Sequence, residues 1–431
     1  MKIAAMFIAM VASCALSSTA TAQSAATAPV TSPVADNAQI AATVDGINRF
    51  SLDLYQKSIA PERNLFLSPA SVSTAIGLAY RGAIGRTANE IRTALRFPAE
   101  PRTYGKANAA LLRRLPLAAE GRELRIANAL WLQEGMPLNP DYLADVTTDY
   151  AAGLHRVDYR KDSDAARLTI NEWVDDATKA KIKDLLEKED VTDLTRAVLV
   201  NAVYWKGGWA SRFSSGSSRS EAFTRLDGRK VQTMLMNQRA QFRVLERGGV
   251  DLIALPYAGH EISMIVVMPD KPTALPALES RLTAEELSRW LGDLRTTDFR
   301  DTILTLPRMH LEWRGDLVPT LSSLGMKLAF SDRADFSGMV TFPYPGEVPE
   351  AEGLKIKHVI HKTFLDVDET GSEAAAATAV IMDIIVSSRR AGPPPPPPFV
   401  FRADKPFLFL LRDNRTGVIL FIGRYVAPPE A

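Results

Sequence analysis

Residues 197–205 (Ala-Val-Leu-Val-Asn-Ala-Val-Tyr-Trp) restrict the fold of this chain more than any other segment. All of them except Asn201 are apolar, and such a run predicts a central strand that is buried on both faces of its sheet. An unpaired buried amide costs about 1–3 kcal/mol. We therefore expect Asn201 to make a buried hydrogen bond.

Strand and helix patterns alternate along the rest of the chain. Apolar residues at helical spacing predict a first helix over residues 40–54. Ser68 and Pro69 suit the N-cap and the first residue of a helix that stops near Gly82. Residues 87–90 (Thr-Ala-Asn-Glu) match a capping box at the start of another helix. Further helices are predicted within 164–186 and 283–290, and strands at 126–132, 303–313, 354–367 and, as a run, over 228–268. The inward faces within 164–186 are predicted to carry Leu168, Trp173, Val174, Ile182 and Leu185. This alternation predicts an α+β fold.

Residues 369–380 have conflicting local preferences. Four alanines at 374–377 favour a helix, whereas the β-branched residues from Thr378 onward favour a strand. Such a conflict is typical of a functional site or of a segment with two conformations. As a strand, one face would carry Ser372, Ala374, Ala376 and Thr378, and the other Glu373, Ala375 and Ala377. Two interpretations stay open: a strand that slides between two existing strands, or an exposed Ala-rich helix or loop.

Two motifs carry a family resemblance. Residues 369–378 (Glu-Thr-Gly-Ser-Glu-Ala-Ala-Ala-Ala-Thr) resemble the proximal hinge of the reactive-centre loop of serpins, the serine protease inhibitors. The family usually has a second charged residue where this chain has Thr370. Residues 401–411 (Phe-Arg-Ala-Asp-Lys-Pro-Phe-Leu-Phe-Leu-Leu) resemble the C-terminal signature of the same family. The resemblance covers residues 39–426. It implies a large mixed main sheet, additional sheets, about eight or nine helices and an exposed reactive-centre loop at about 369–400.

The resemblance also implies roles for individual residues. It places the hinge at Glu369, Gly371, Ser372, Ala374, Ala375, Ala376, Ala377 and Thr378. Residues 64–71 resemble the segment at the opening region of the main sheet, called the shutter, and Ser68, Ser71, Asn201 and His361 match its polar positions. Trp209 matches the tryptophan at the breach, where the loop first enters the sheet. The alternatives are helix capping for the two serines and ordinary core packing for Trp209 and His361.

The implied function is suicide inhibition of a serine protease, so the protein itself would not be an enzyme. The sequence has no nucleophile elbow, His-Glu-x-x-His zinc motif or phosphate-binding glycine loop, and we expect no catalytic residue, metal or cofactor. The alternative is a non-inhibitory serpin that acts as a binding protein, carrier or chaperone. Such members often have bulky or charged hinge residues, so the small residues at 374–377 favour an inhibitor.

Family spacing places the reactive bond at Ile385–Val386. A β-branched aliphatic residue before this bond suits elastase-like or subtilisin-like proteases, whose primary pockets are apolar. Arg389 and Arg390 are rivals, because trypsin-like enzymes cut after arginine. The loop is longer than is usual in the family, and the six prolines at 393–398 account for this as a spacer of roughly 19 Å.

Composition and the chain start predict an exported protein. With 431 residues, 46% of them hydrophobic, the chain can bury a large core, and its net charge of +1 gives no argument for binding nucleic acid. Residues 1–22 read as a signal peptide and 23–38 as a flexible linker before a domain at 39–426. Cys14 is the only cysteine. It is lost with the signal peptide or, in the alternative, is lipidated and anchors the protein to a membrane. We expect a bacterial protein, extracellular or periplasmic, that acts as a monomer.

Overall fold

Nine α-helices and sixteen strands alternate in the computed structural model, which describes residues 37–115, 118–119, 122–150, 153–340, 354–372 and 396–428. The helices are α1 (Asn37–Ser58), α2 (Pro69–Gly82), α3 (Gly85–Ala94), α4 (Pro101–Arg114), α5 (Pro140–Asp149), α6 (Ser163–Ala177), α7 (Leu275–Arg281), α8 (Ala284–Thr296) and α9 (Val318–Ser323). The strands are β1 (Leu65–Leu67), β2 (Ala118–Ala119), β3 (Arg122–Gln133), β4 (Gly153–Val157), β5 (Ala197–Gly208), β6 (Arg219–Thr224), β7 (Lys230–Arg247), β8 (Val250–Pro256), β9 (Ile262–Pro269), β10 (Phe299–Pro307), β11 (Met309–Asp316), β12 (Val359–Val367), β13 (Gly371–Ser372), β14 (Phe399–Arg402), β15 (Phe407–Asp413) and β16 (Ile419–Tyr425). The predicted α+β class is confirmed.

The strands form two hydrogen-bonded sheets within the described residues. One has the order β1-β16-β15-β9-β8-β7-β10-β14, and β6 also pairs with β7. The other, which we call the main sheet, has the order β11-β12-β13-β5-β3-β2, and β4 also pairs with β3. In the main sheet β12 and β5 are parallel, whereas β5 and β3 are antiparallel.

The main sheet is covered on both faces, as the apolar run at 197–205 predicted. Along β5, Leu199 packs in a buried cluster with residues of α2, whereas Val198 and Val200 pack in a second cluster with residues of α6. All residues of β5 are buried except Lys206, which is partly buried. No helix among the described residues is long and apolar enough to cross a membrane.

The capping box predicted at residues 87–90 is wrong. Helix α3 begins at Gly85, before this motif, so both side chains point to other segments. The Thr87 hydroxyl accepts a hydrogen bond from the Asp335 backbone N–H at 2.9 Å. The Glu90 carboxylate accepts one from the Leu328 N–H at 2.7 Å. These side chains tie α3 to a distant part of the chain, which a local motif cannot reveal.

The inward position predicted for Leu168 is also wrong. Helix α6 buries Ala166, Ile170 and Val174, which are four residues apart, and this phase leaves Leu168 54% exposed. The helix ends at Ala177, and Lys179 and Ala180 then have positive φ values of 53° and 61°. The second half of 164–186 is therefore irregular, although Ile182 and Leu185 are buried as predicted.

Candidate functional site

The main sheet has a position where β5 and β12 are paired at one end and separated at the other. Residues 359–364 of β12 pair in parallel with residues 199–204 of β5. Beyond these pairs the two-residue strand β13 lies between them. Its Ser372 pairs antiparallel with Val367 of β12 and with Gly207 of β5. A strand that continued from Ser372 would be antiparallel to both neighbours.

A tight turn at residues 368–371 directs the chain into this position. The Asp368 side chain accepts hydrogen bonds from the Thr370 N–H at 2.7 Å and from the Gly371 N–H at 3.2 Å. Gly371 has φ +154°, and a Cβ there would lie 2.1 Å from the Gly207 carbonyl oxygen. Only glycine lets the turn approach β5 this closely.

Ser372, the second residue of β13, is completely buried. Its hydroxyl is hydrogen-bonded to the Tyr257 hydroxyl at 2.6 Å, and burial raises the pKa of Tyr257. The Tyr257 ring stacks on Trp209 with 4.6 Å between ring centroids. Trp209 in turn donates its backbone N–H to the Thr370 carbonyl and its ring N–H to the Asp368 carbonyl, both at 2.9 Å. Trp209 therefore holds the turn through both its main chain and its side chain.

Glu369 fixes the other side of the turn. Its carboxylate is buried and accepts hydrogen bonds from Arg308: Nε lies 3.1 Å from each carboxylate oxygen, and Nη2 lies 2.7 Å from one of them. The Ser218 hydroxyl donates a further hydrogen bond to this carboxylate. Burial acts to raise the pKa of Glu369, but the hydrogen bonds from Arg308 and Ser218 outweigh it and lower this pKa. The carboxylate is thus charged in the folded protein, and it joins the turn to the β10–β11 corner.

A buried polar cluster lies lower in the sheet, between β5 and α2. Asn201 donates hydrogen bonds from its side-chain amide to the Ser71 hydroxyl at 2.5 Å and to the side-chain oxygen Oδ1 of Asn128. Ser71 also donates to that oxygen at 3.1 Å. The expected buried hydrogen bond of Asn201 is confirmed. The cluster connects β5 and β3 to the first turn of α2.

His361 makes the matching contact from β12. Its Nε2 accepts the Ser68 backbone N–H at 3.0 Å, so the ring proton lies on Nδ1. Burial lowers the pKa of His361 to about 3, against a smaller opposing effect of the Asn201 backbone. Ser68 is the residue before α2, as predicted, but its hydroxyl donates to the Leu420 carbonyl at 2.8 Å and does not cap the helix. The capping interpretation of the Ser68 side chain is therefore wrong.

Two buried polar atoms at this level have no hydrogen-bond partner among the described residues. They are Oδ1 of Asn201, an acceptor, and Nδ1 of His361, a donor in this tautomer. The two residues are register partners across β5 and β12. A group that could both donate and accept would satisfy both atoms.

The structure brings together the predicted residues Ser68, Ser71, Asn201 and His361 in one place, and Glu369, Gly371, Ser372 and Trp209 in another. The remaining predicted hinge residues (Ala374, Ala375, Ala376, Ala377 and Thr378), the bond Ile385–Val386, the rivals Arg389 and Arg390, and the signal segment 1–22 with Cys14 lie outside the described residues.

Three site residues were missed in the sequence. Asn128 is an amide within the apolar strand at 126–132, the same signal that singled out Asn201. Tyr257 and Arg308 carried no local signal, because each meets its partner across more than 60 residues. No group of acidic, histidine or cysteine side chains that could hold a metal ion exists within the described ranges.

Comparisons with known proteins agree with this geometry. A family model described as "Serpin (serine protease inhibitor)" matches residues 45–428. A serpin-like protein of Thermococcus kodakarensis is 34% identical over 389 residues, which are 90% of this chain and 86% of that protein. The human leukocyte elastase inhibitor is 33% identical over 392 residues, or 88% of this chain and 98% of that protein.

Solved structures give the same result. Uncleaved ovalbumin matches with a TM-score of 0.78 and 27% identity, over 90% of this chain and all of that one. Thyroxine-binding globulin in complex with thyroxine matches with a TM-score of 0.75 and 27% identity, over 90% of this chain and 99% of that one.

Proposed function

The chain belongs to the serpin family, and we propose that it inhibits serine proteases as a suicide substrate whose cleaved loop inserts between β5 and β12. One observation carries the proposal: β13 already lies between these strands, antiparallel to both. Insertion would replace one parallel ladder by two antiparallel ladders. Antiparallel pairing is slightly more stable per residue, and the added main-chain hydrogen bonds contribute further.

The proposed chemistry belongs to the target protease. Its serine oxygen attacks the carbonyl carbon of Ile385, an ester forms, and the bond to Val386 breaks with that residue's amine as the leaving group. The freed loop then inserts and carries the esterified protease along the sheet. Distortion of the protease stops hydrolysis of the ester. The protein is consumed in this reaction and has no turnover of its own.

The hinge composition supports an inhibitor over a non-inhibitory serpin. The side chain of Ser372 is already buried, and the residues after it that would share its face are Ala374 and Ala376. Small uncharged side chains can enter a packed sheet at low cost, whereas an unpaired charge cannot. Leukocyte elastase inhibitors are among the relatives. An elastase-like or subtilisin-like target also suits Ile385.

The test is to mix the protein with a panel of elastase-like, subtilisin-like and trypsin-like proteases. We expect a denaturant-resistant 1:1 complex and a released fragment that begins at Val386. From Ser372 to Ile385, 14 residues span about 46 Å as a strand, and a cut after Arg390 adds about 16 Å of slack. A fragment from trapped complexes that begins at Arg390 or Ala391 would contradict this register. Cleavage by every protease without any trapped complex would contradict the function itself.

We further propose that the protein is exported and acts outside the cytoplasm as a monomer. The support is the signal-like segment at 1–22. Mass spectrometry of the mature protein separates the two export forms. A chain that begins at Gln23 indicates soluble export, whereas a lipidated chain that begins at Cys14 indicates a membrane anchor.

A cavity favours small-molecule binding as a second candidate function. It has a volume of about 390 Å³ and lies between α8 and strands β8 and β9, with apolar walls that include Ile265, Leu291 and Leu294. Arg412 lines it and donates Nε to the Gly417 carbonyl at 3.2 Å. Burial lowers the pKa of Arg412, and nearby Arg295 adds to this effect. A cation in such surroundings fits an amphipathic anion.

Thyroxine-binding globulin, a similar structure, was solved with such a ligand. Calorimetric titration with octanoate and with thyroxine tests binding. We expect Arg412→Gln to weaken it, and no heat of binding from either probe would exclude this function.

A further inference from the structure

We propose that His155 is a proton-sensitive contact that loosens α6 from the main sheet at mildly acidic pH. The proposal concerns a cluster of three aromatic side chains: Trp131 on β3, His155 on β4 and Trp173 on α6. None of these three residues belongs to the hinge or makes a hydrogen bond within the Asn201 cluster. Its connection to loop insertion, given below, rests on the proposed function, but the contact itself does not.

The cluster joins α6 to the edge of the sheet. Strand β4 pairs only with β3 among the described strands, and His155 is the register partner of Trp131. The imidazole stacks on Trp131 with 4.3 Å between centroids and 20° between planes. Trp173 meets both rings edge-on, at 5.3 Å from His155 and 5.9 Å from Trp131. His155 is therefore packed between the sheet and the helix.

No hydrogen bond at Nε2 would stabilise the protonated form of His155. That nitrogen is buried without a partner in the described part of the chain, and it faces the backbone of Gly153, where a Cβ would lie only 2.0 Å away. Burial lowers the pKa of His155. The charged sequence neighbours of the cluster, Arg156 on β4 and Glu172 on α6, are both exposed to solvent. His155 itself is only partly buried, but protonation places a charged N–H at this buried nitrogen with no acceptor among the described residues, so the packed arrangement disfavours the imidazolium.

Release of α6 would affect the place in the main sheet where the loop is proposed to insert, between β5 and β12. Ala166, Ile170 and Val174 of α6 share one buried cluster with residues of both β5 and β12. The helix therefore covers the face of the sheet where the two strands must separate. If α6 holds the strands together, a looser α6 lets them part more readily, and acidic pH would speed insertion.

Hydrogen–deuterium exchange of α6 (Ser163–Ala177) tests the contact without any protease. The packed state favours the neutral imidazole, so the released state gains as the pH falls below about 6.5. We expect the protection of α6 to fall by up to about tenfold between pH 6.5 and 5.5, after correction for intrinsic exchange. Unchanged protection, or protection that rises because the imidazolium binds the indole face, would overturn the proposal.

Three variants separate His155 from other titrating groups. His155→Phe keeps an aromatic ring that cannot be protonated, and His155→Gln serves if the phenylalanine variant folds poorly. Both should abolish the pH dependence. His310→Gln removes an exposed histidine on β11 and should leave it intact. An equal acid response in the His155 variants and the wild type would refute the assignment. If acid lowers the protection of α6 but no protease is ever trapped, the proposed inhibitory function is refuted and the role of His155 is not.

Discussion

Replacing Thr378 by valine should remove stabilisation that exists only after loop insertion. The register fixes which strand residues Thr378 would meet. Ser372 pairs with Val367 and Gly207, so a residue six positions later reaches positions six earlier on each strand. Those positions are His361 and Asn201.

The expected magnitude follows from the two atoms that lack partners there. Oδ1 of Asn201 needs a donor and Nδ1 of His361 needs an acceptor. A hydroxyl supplies both. Each buried hydrogen bond contributes about 0.5–1.5 kcal/mol, so Thr378→Val should lower the stability of the inserted form by about 1–3 kcal/mol. Valine has nearly the same shape, so little of this loss would come from packing.

Guanidinium unfolding of loop-cleaved and intact protein measures this effect as a difference between forms. Thr378→Val should reduce the extra stability that cleavage confers, whereas Thr378→Ser should retain most of it. Ala377→Val is the matched control, because it adds the same kind of side chain on the opposite face. If cleavage stabilises Thr378→Val as much as it stabilises the wild type, Thr378 does not bond to Asn201 and His361 in the inserted form.

Other substitutions test the hinge and the shutter. Ser372→Arg should convert the inhibitor into a substrate, because a charge would replace a buried hydroxyl. The control Glu373→Arg puts the charge on what would be the other face of the inserted strand, and equal trapping of protease by both variants on denaturing gels would contradict the face assignment. Glu369→Gln should lower the free energy of unfolding of the intact protein by about 1 kcal/mol, because it weakens the bond to half-exposed Arg308. Urea unfolding measures this, and Arg308→Gln should add little to it. His361 stays neutral when folded, so its contribution is complete above pH 6.5 and is lost as the pH falls towards about 3, by at most roughly 1.4 kcal/mol per pH unit. Unfolding at pH 7.5 and 5.5 should show less pH dependence in His361→Asn than in the wild type.

Patterns that depend on burial were readable from the sequence. The apolar run at 197–205 predicted β5, and its single amide predicted a buried hydrogen bond, because both inferences need only the cost of burying polar groups. Helix α1 and the bounds of α2 followed from apolar spacing and from Pro69. The grouping of Ser68, Ser71 and His361 came from the family resemblance alone.

Contacts between distant segments were not readable. Thr87 and Glu90 have the spacing of a capping box, yet their oxygens bond to residues about 240 positions away. Likewise Glu369 is a hinge residue by resemblance, but nothing local indicates that Arg308 holds it. The sequence pattern wrongly predicted that Leu168 lies on the buried face of α6. A short helix has several apolar rows, and an exposed leucine costs little.

The arrangement of β5 and β12 allows a strand to enter without any sliding of the two strands along each other. Direct pairing joins residues 160 positions apart, such as Val359 and Leu199, and Ser372 joins Val367 and Gly207, which are also 160 apart. Entry then requires only a sideways separation by one strand spacing, about 4.8 Å. Both strands are bonded to the start of α2. His361 of β12 accepts a hydrogen bond from the Ser68 backbone, and Asn201 of β5 donates one to the Ser71 hydroxyl. A sideways shift must stretch one of these two links. The first turn of α2 therefore resists opening of the sheet, and a hydroxyl from the incoming strand would offset the loss.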